Sequence, residues 1–290
     1  MSKTPYTLEE DIKHVLDTGE GWTPEIAEWV GGDIAQSLNR QLGEQRQDRR
    51  NLRLSSLGTK CERKLWYTVN WTVRPEPLPP FTRSKFIYGD LTESYILGLC
   101  MAAGHNVGGL QTTLDVCGVR GHRDCVIDGM LFDVKSCATF SFRNFTKGGV
   151  RNNDSYGYVS QLSSYLYASR DDPLVTNHTH GGFIFLDKQF GDIAVRILDM
   201  SEEVDNKEAE VERKKGIAEQ LEPPEREYEP IFGKVGSSKN PVLPNNPCGY
   251  CDHKYECWDE LHVYQRKSDG HRLYFTEVHK ELGDTWEKVE

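Results

Sequence analysis

The sequence lacks the long apolar run that a membrane-spanning helix requires. No stretch of its 290 residues approaches about 18 consecutive apolar residues. It also lacks an apolar leader, because it opens with Met-Ser-Lys-Thr, and we therefore expect the protein to stay in the cytoplasm. No internal repeat is present. The length allows one large core or a core plus a lobe.

Cysteine is too scarce for a disulfide framework. Such frameworks belong to small secreted chains, and this chain has eight cysteines in 290 residues. Three of them form a Cys-x2-Cys-x5-Cys cluster at Cys248, Cys251 and Cys257, and Cys61 lies far upstream as a candidate fourth ligand. The other four lie singly in predicted helices and strands, where we expect small buried hydrophobes: Cys100, Cys117, Cys125 and Cys137.

The chain also lacks the basic excess that is common in nucleic-acid-binding proteins, since its net charge is −10. The basic residues are unevenly distributed, however. Eight basic and three acidic residues lie between Arg40 and Lys64, so this window is positive in an acidic chain. It is either a solvated helix face or a patch that faces DNA. Its position beside Cys61 favours the patch.

One stretch in the middle of the chain predicts a hairpin that carries charged residues. The Asp128-Gly129 pair lies between apolar residues and favours a type I′ turn, in which both residues need positive φ. Asp133 and Lys135 leave the same face of the second strand, and Asp124 lies across the turn. Two carboxylates on one face are costly unless a divalent cation neutralises them. The stretch is therefore either an ordinary surface hairpin or a metal site.

Two predicted helices flank this hairpin in sequence. The upstream helix carries Glu93 four residues after a glycine, and the downstream helix carries Gln161 and Tyr165 on one face at i and i+4. In chain order the motifs are Gly-x-x-x-Glu, Asp, Asp-x-Lys and Gln-x-x-x-Tyr. This pattern resembles the PD-(D/E)XK nuclease superfamily, in particular its RecB-like exonuclease branch, over about residues 81–170.

The cysteines resemble those of the iron–sulfur nucleases within that branch, the CRISPR-associated RecB-like exonucleases and the AddB-type nuclease domains. In those proteins one cysteine before the nuclease core and three after it hold a [4Fe–4S] cluster. The resemblance implies the same role for Cys61, Cys248, Cys251 and Cys257. Four thiolates also suit zinc, and the residues could instead be buried free thiols without a metal. Spacing alone favours zinc, but the nuclease motifs between the cysteines favour the iron–sulfur cluster.

The resemblance implies a fold and a chemistry. The expected fold is α/β, with a restriction-endonuclease-like mixed central sheet flanked by helices, an N-terminal helical lobe and an iron–sulfur lobe formed by both ends of the chain. Lys135 would orient the attacking water or stabilise charge on the phosphate, and Gln161 and Tyr165 would steady the metal site and the DNA strand. The expected ligands of Mg²⁺ or Mn²⁺ are Glu93, Asp124, Asp133 and the Val134 carbonyl.

The chain departs from the family pattern at three positions. Arg123 replaces the proline that gives the motif its name, and Asp133 replaces the commoner glutamate. Glu93 stands where many RecB-like members have histidine, which weakens the match to the CRISPR-associated proteins. With its added N-terminal lobe, the chain resembles a stand-alone, phage-encoded relative more closely.

Composition and local patterns divide the chain into five expected segments. These are an N-terminal helical lobe (1–55), a Cys61 segment with a proline-rich linker (56–80), the nuclease core (81–200), a charged helix and loop (201–245), and the cysteine cluster with the C-terminal tail (246–290). Helices are expected over 86–97 and 158–167, and strands over 182–186 and 193–197. The tail beyond residue 258 contains no motif that we can interpret.

Smaller signals predict further helices. Thr7 opens a capping box, and Thr23 precedes a proline at a first helical position, so each predicts a helix N-cap. The charged segment 202–222 predicts a helix with most of its sides in solvent. An apolar stripe that needs burial lies at Ile34, Leu38 and Leu42.

DNA binding by an acidic chain must be focused near the site. The basic candidates are Arg49, Arg50, Arg53, Arg63, Lys64, Arg83, Lys85, Lys147 and Arg151. Aromatic faces can stack on bases without reading sequence, and we expect at least half of the following to be core residues: Phe140, Phe142, Phe145, Tyr156 and Tyr158. No major-groove motif appears, so DNA ends or single strands are the expected partners.

Three function classes are compatible with these motifs. The first is a metal-dependent DNA exonuclease with a structural iron–sulfur cluster. The second is a structure-specific endonuclease of repair or recombination on the same fold. The third is a non-catalytic DNA-binding or assembly protein, against which the complete Glu/Asp/Asp/Lys set argues.

Overall fold

A computed structural model describes residues 3–43, 50–72, 80–232 and 240–289. The chain divides into two compact units. Among the described residues, the first unit comprises 3–43, 52–60 and 80–213, and the second comprises 50–51, 61–72, 214–232 and 240–289. This division differs from the five expected segments, because the N-terminal helices belong to the same unit as the central sheet.

The first unit is built around a mixed sheet. The described strands of this unit are β1 (Val107–Gly108), β2 (Thr113–Val116), β3 (Val119–His122), β4 (Cys125–Ile127), β5 (Met130–Cys137), β6 (His180–Asp187) and β7 (Ile193–Asp199). β1, β4, β5, β6 and β7 lie side by side in that order, and β2 and β3 form a separate hairpin. β5 and β6 are parallel, whereas the other neighbours in the sheet are antiparallel.

Helices cover both faces of this sheet. The described α-helices of the chain are α1 (Leu8–Thr18), α2 (Pro24–Leu38), α3 (Leu54–Leu57), α4 (Glu62–Asn70), α5 (Pro80–Ala102), α6 (Thr139–Lys147), α7 (Tyr158–Ala168), α8 (Ser201–Asp205), α9 (Lys207–Ala218) and α10 (Lys254–Cys257). α6 and α7 form the long crossover that a parallel strand pair requires. The predicted fold class, an α/β fold with a mixed central sheet flanked by helices, is confirmed.

Successive side chains along each strand point to opposite faces of the sheet, and each face packs into a separate hydrophobic core. Leu131 packs with α6 and α7 residues on one face of the sheet, and the next residue, Phe132, packs with α1 and α5 residues on the other. On β6, Phe183 and Ile184 divide in the same way between the two cores. The sheet is therefore buried on both faces.

The central hairpin has the predicted turn. Asp128 and Gly129 have φ values of 49° and 81°, so both residues are left-handed as a type I′ turn requires. Ile127 pairs with Met130 directly across the turn. The Asp128 carboxylate also accepts the backbone N–H of Asn106 at 2.9 Å, which ties the turn to the segment between α5 and β1. The register of the hairpin is thereby set at its closed end.

The second unit has a sheet of its own. Its described strands are β8 (His262–Arg266), β9 (Arg272–Phe275) and β10 (Trp286–Lys288), in the order β10-β8-β9. This sheet lies in the tail that the sequence analysis left without interpretation. Asp269-Gly270, with Gly270 at φ 70°, was the overlooked turn signal between β8 and β9. Among the described helices of the chain, none has the length and apolar character needed to cross a membrane.

Most local predictions agree with the structure, but only one of the two predicted N-caps makes its capping hydrogen bond. The predicted helices over 86–97 and 158–167 are parts of α5 and α7, and the two predicted strands are parts of β6 and β7. Thr23 caps α2, since its Oγ1 accepts the backbone N–H of Ile26 at 3.4 Å. Thr7 precedes α1, but its hydroxyl donates to the carbonyl of Thr4 and makes no capping bond, so the capping-box prediction was wrong.

Three predictions about burial need correction. Leu42 is 61% exposed, because α2 ends at residue 38 and a wider π-helical turn follows, which takes Leu42 off the apolar stripe. The segment 202–222 contains two helices separated at Asn206, and Lys207 and Val211 of the second helix are fully buried. Cys117 is only partly buried because it lies in the turn between β2 and β3 with φ 51°. Cys100, Cys125 and Cys137 are buried as predicted.

Candidate functional site

The hairpin brings two carboxylates and a lysine together. The register of β4 and β5 places Asp124 opposite Asp133 at the open end of the hairpin. Asp124 Oδ2 accepts the backbone N–H of Val134 at 3.0 Å. Lys135 Nζ makes an ion pair with Asp133 Oδ2, and the Asp133 side chain is almost fully buried. Three of the predicted site residues therefore meet through strand geometry alone.

Glu93 reaches the same region from α5. Its Oε1 accepts a hydrogen bond of 2.7 Å from Gln111 Nε2, and the backbone N–H of Gln111 donates to the Asp124 carbonyl at 3.2 Å. Gln111 has φ 48°, a left-handed conformation that is uncommon for a residue other than glycine. Such backbone strain clusters at functional sites. Sequence reasoning missed Gln111, because the preceding glycines signal a turn but nothing marks this side chain.

Helix α7 supplies the remaining predicted residues. Gln161 Nε2 lies 3.4 Å from Asp133 Oδ1 and 3.2 Å from the hydroxyl of Tyr165. Tyr165 is buried in the core, and burial raises the pKa of its hydroxyl. The face of Tyr158 lies 5.0 Å from Lys135 Nζ, so an aromatic ring supports the ammonium group. The one-face spacing of Gln161 and Tyr165 therefore aims both residues at the hairpin.

The proximity of the carboxyl groups shows in their pKa values. Burial and the charges of Asp133 and Asp90 raise the pKa of Glu93 to about 7. Burial and the charges of Asp133 and Glu93 raise the pKa of Asp124 well above its usual range. Burial by itself would lower the pKa of Lys135, but the charges of Asp133 and Asp124 raise it, and the ammonium stays protonated. If all three carboxyl groups were ionised, their negative charge would exceed the single positive charge of Lys135, and the raised pKa values express that cost.

This donor set fits a hard divalent cation. Mg²⁺ and Mn²⁺ prefer carboxylate, carbonyl and water oxygens, and a bound cation would lower the carboxyl pKa values that mutual repulsion raises. Val134 lies between Asp133 and Lys135 on β5, with its side chain in the opposite core. In the part of the chain that the structure describes, no three His, Cys, Asp or Glu side chains stand together in a metal-binding arrangement. Ligation by Glu93, Asp124 and Asp133 thus requires their side chains to move closer.

The four predicted cluster ligands line one cavity of the second unit. Its empty volume is about 340 Å³, including space open to solvent. Cys61 is the N-cap of α4, where its Sγ accepts the backbone N–H of Lys64 at 3.4 Å. Cys257 ends α10. The lining residues are Cys61, Lys64, Tyr67, Pro247, Cys248, Cys251, Lys254, Cys257 and Trp258.

The thiols are close enough to influence one another. Burial and the neighbouring thiols of Cys251, Cys61 and Cys257 raise the pKa of Cys248 to about 12. Burial also raises the pKa of Cys251, with Lys64 acting in the opposite direction. Four thiols around one cavity suit zinc or a [4Fe–4S] cluster, and either group binds the deprotonated form. The donors lining the cavity are of the type that both groups use, and binding of either group would require the thiols to move closer, since no three of them stand in a metal-binding arrangement among the described residues.

Hydrogen bonds hold the wall of this cavity. The Arg226 guanidinium donates twice to the Cys257 carbonyl, at 3.0 and 2.6 Å. The Tyr67 hydroxyl donates to the Glu256 carbonyl at 3.1 Å, and the Thr72 backbone N–H donates to Glu256 Oε1 at 2.6 Å. Residues 61–72 are thus tied to the cysteine-rich segment by contacts that do not involve the thiols.

Arg123, a departure from the family pattern, is a buried structural residue. Its guanidinium donates to the Gly109 carbonyl and to Ser169 Oγ, each at 3.0 Å, and to Asp172 Oδ2 at 2.5 Å. These contacts join the start of the hairpin to the loop that carries Gln111 and to the end of α7. Sequence reasoning noted Arg123 only as a substitution, since its partners lie far away in sequence.

The basic candidates for DNA binding differ in their surroundings. Arg49 lies outside the described residues. Arg63 donates to the Pro224 carbonyl at 2.7 Å, Lys64 lines the cysteine cavity, and Arg151 is paired with Glu203. The exposed candidates are Arg50, Arg53, Arg83, Lys85 and Lys147.

The aromatic candidates divide as expected. Phe145 is buried, and Phe142 and Tyr158 pack partly buried against the same core. Phe140 and Tyr156 are 76% and 61% exposed. The prediction that at least half of these aromatics are core residues is confirmed.

Comparison with known proteins finds distant structural likenesses. No protein-family model matches the chain, and neither does any curated protein. A phage-related exonuclease from Haemophilus somnus 129PT is similar at 14% identity with a TM-score of 0.44, over 59% of this chain and 94% of that one. The protein SSO0001 is similar at 16% identity with a TM-score of 0.40, over 80% of this chain and 96% of that one.

Proposed function

We propose that this chain is a divalent-metal-dependent deoxyribonuclease, an exonuclease that hydrolyses phosphodiester bonds at DNA ends or in single strands. One observation carries the proposal. Glu93, Asp124, Asp133 and Lys135 come from a helix and from the two arms of one hairpin, yet their charges act on one another at its open end. A merely structural role would not gather three acids around one lysine, because their repulsion is costly.

The chain's own residues account for the remaining requirements of hydrolysis. A bound Mg²⁺ or Mn²⁺ would act as a Lewis acid on the phosphoryl oxygen. Lys135, kept protonated by its acidic neighbours, orients the attacking water or offsets charge on the phosphate. Gln161 donates to Asp133 and Tyr165 lies beside it, so both restrict the carboxylate to one orientation. The proposed ion would be held by Glu93, Asp124, Asp133 and the Val134 carbonyl.

Hydrolysis of end-labelled linear single-stranded DNA tests the activity. Wild-type protein should release nucleotides with Mg²⁺ or Mn²⁺ and none with EDTA. Asp133→Ala and Lys135→Ala should each lower the rate by at least about 100-fold, the scale of losing a charge-stabilising group. Asp171→Ala, at a carboxylate that is 96% exposed, is the matched control and should retain full activity. An unchanged rate in Asp133→Ala would exclude the nuclease.

Circular substrates separate the two enzymatic alternatives. An exonuclease needs an end and should leave circular single-stranded DNA intact while it degrades the linear form. A structure-specific endonuclease would open the circle. The non-catalytic alternative predicts that both substrates remain intact with every divalent cation tested.

We further propose that Cys61, Cys248, Cys251 and Cys257 hold a structural [4Fe–4S] cluster. Their shared cavity supports this role, because it brings the distant Cys61 beside the three thiols of the Cys248–Cys257 segment. Zinc is the alternative that uses the same ligands. Iron and zinc analysis of the purified protein distinguishes them.

A further inference from the structure

Six exposed side chains beyond the end of β5 form a surface that the proposed hydrolysis does not use. Phe140 is 76% exposed, Phe190 is 62% exposed and Tyr88 is 42% exposed. Three exposed basic residues accompany them. The members of this aromatic–basic surface are Tyr88, Phe140, Arg143, Lys147, Lys188 and Phe190.

Hydrogen bonds and a cation–π contact bring the three segments together. Thr139, at the start of α6, donates from Oγ1 to Asp187 Oδ1 at 2.9 Å and lies 3.2 Å from Gln189 Oε1, so Phe140 and Phe190 each follow a residue of this contact. Lys188 Nζ lies 5.8 Å from the ring centre of Tyr88 on α5. The surface therefore joins α5, α6 and the turn between β6 and β7.

The three α6 members share one side of that helix. Phe140, Arg143 and Lys147 are spaced at i, i+3 and i+7, which places an aromatic ring and two cations along one exposed face. Asp187 accepts the hydroxyl of Thr139, and the charge of Arg143 contributes to lowering its pKa, while Asp192 is the exposed acid of the neighbouring turn. Three cations thus accumulate locally in a chain whose net charge is −10.

The surface adjoins the candidate site. The backbone N–H of Lys188 donates to the Cys137 carbonyl at 2.9 Å, and Cys137 follows Lys135 by two residues, about 7 Å along an extended strand. Tyr88 precedes Glu93 by five residues, about 8 Å along a helix. A strand of nucleic acid on this surface would therefore lead toward the carboxylates.

We propose that the aromatic–basic surface binds single-stranded DNA and directs it to the carboxylate site, an inference that rests on the proposed function. Exposed rings can stack on unpaired bases, and the interspersed cations can contact phosphates. A duplex presents paired bases and offers no free faces to the rings. An apolar protein partner would bring no negative charge to these three cations, whereas a polyanion does.

Binding measured without hydrolysis tests this surface. Fluorescence anisotropy in EDTA would compare an oligo(dT) and an oligo(rU) of about 20 nucleotides, longer than a typical single-strand site, with a duplex. The double variant Phe140→Ala/Phe190→Ala should bind oligo(dT) about 10- to 100-fold more weakly, since each lost stacking contact weakens binding severalfold or more. Tyr6→Ala, at an aromatic that is 67% exposed before α1, is the matched control and should bind as wild type does.

The contribution of the basic side chains is measured separately, from the salt dependence of DNA binding. Arg143→Ala/Lys188→Ala should reduce the slope of log affinity against log salt by about 0.7 for each cation removed. Both double variants should keep the wild-type melting temperature, because all four side chains are exposed. Binding of oligo(rU) as tight as that of oligo(dT) supports the same stacking chemistry for either sugar.

The outcomes separate this proposal from the proposed function. If wild-type protein hydrolyses DNA but both double variants bind oligo(dT) as wild type does, the proposed role of the surface is contradicted and the proposed nuclease activity is supported. If wild-type protein does not hydrolyse DNA and the variants lose binding, the surface binds DNA as proposed and the proposed nuclease activity is contradicted. Failure of wild-type protein to bind oligo(dT) overturns the surface. So does a change of oligomeric state in Phe140→Ala/Phe190→Ala with unchanged DNA binding, which would mark a contact between copies.

Discussion

Glu93 shows how strongly the site departs from the ordinary behaviour of its residues. Its pKa is raised from 4.5 to about 7 by burial and by its acidic neighbours, so the folded protein favours the protonated form. Between these two pH values the unfolded chain releases a proton that the folded protein retains. Stability therefore falls as pH rises through this window, and the full cost is present above it.

Glu93→Gln should remove this pH-dependent cost. In EDTA at about pH 8, the variant should be more stable than wild type by about 1–3 kcal/mol, since each unit of pKa shift corresponds to about 1.4 kcal/mol. At about pH 4.5, where the glutamate is largely protonated, the two proteins should be equally stable. Denaturant unfolding at both pH values measures the difference, with the exposed Glu28→Gln as control. An equal gain at both pH values would contradict the charge-based explanation.

The same substitution should have the opposite effect on catalysis. An amide is a poorer ligand than a carboxylate for Mg²⁺ or Mn²⁺, so Glu93→Gln should hydrolyse DNA more slowly than wild type. Gain of stability with loss of activity is the combination expected of a functional acid cluster.

At the scale of elements, the β4–β5 hairpin decides whether the acids meet. Its turn depends on Gly129, which has φ 81°, and a Cβ atom there would lie only 2.2 Å from Thr176 Oγ1. Both the backbone conformation and the space therefore require glycine. A slip of one residue in the register would send Asp133 and Lys135 to the opposite core.

Gly129→Ala should destabilise the protein by at least about 1 kcal/mol, because alanine is strained at positive φ and collides with Thr176. Thermal unfolding measures this loss, and the hydrolysis rate should fall with it. Gly32→Ala on α2 is the control, since no atom lies within 4 Å of the new Cβ, and it should be neutral or stabilising by up to about 1 kcal/mol. Equal melting temperatures for Gly129→Ala and wild type would show that the turn tolerates a side chain.

At the scale of the whole molecule, the second unit combines distant parts of the chain. Cys61 comes before the central sheet, and the other three cluster cysteines come after it. A metal group that joins them closes a loop of nearly two hundred residues. In the entropic model such closure contributes about 5 kcal/mol by restricting the unfolded chain.

Cys248→Ala should therefore lower solubility and melting temperature first, and activity only as a consequence. Wild-type protein should be brown and contain about four irons per chain, and the variant should lose both properties. Cys100→Ala, at a buried thiol of the first unit, is the control and should keep its iron. A colourless wild-type protein with one zinc would make the cluster wrong and leave the four ligands right.

Much of the fold was predictable because its signals are local. The Asp-Gly turn and the faces of α5 and α7 depend on residues within a few positions of one another. Gln111 and Arg123 were not predictable, since each acts through partners on other elements. Thr7 shows the converse, because its local signal was present but its hydroxyl found another acceptor.

The mixed central sheet was expected from the family resemblance, whereas helices α5 and α7, the hairpin and the identity of the charged residues near its open end were determined by the sequence itself. These follow from backbone periodicity and turn chemistry, which are properties of neighbouring residues. Only the tertiary structure decided that Glu93 joins Asp124 and Asp133, that four thiols line one cavity, and that aromatic and basic residues of α5, α6 and the β6–β7 turn share one surface. Those arrangements depend on packing between segments distant in sequence, and no local pattern encodes the distance across a folded core.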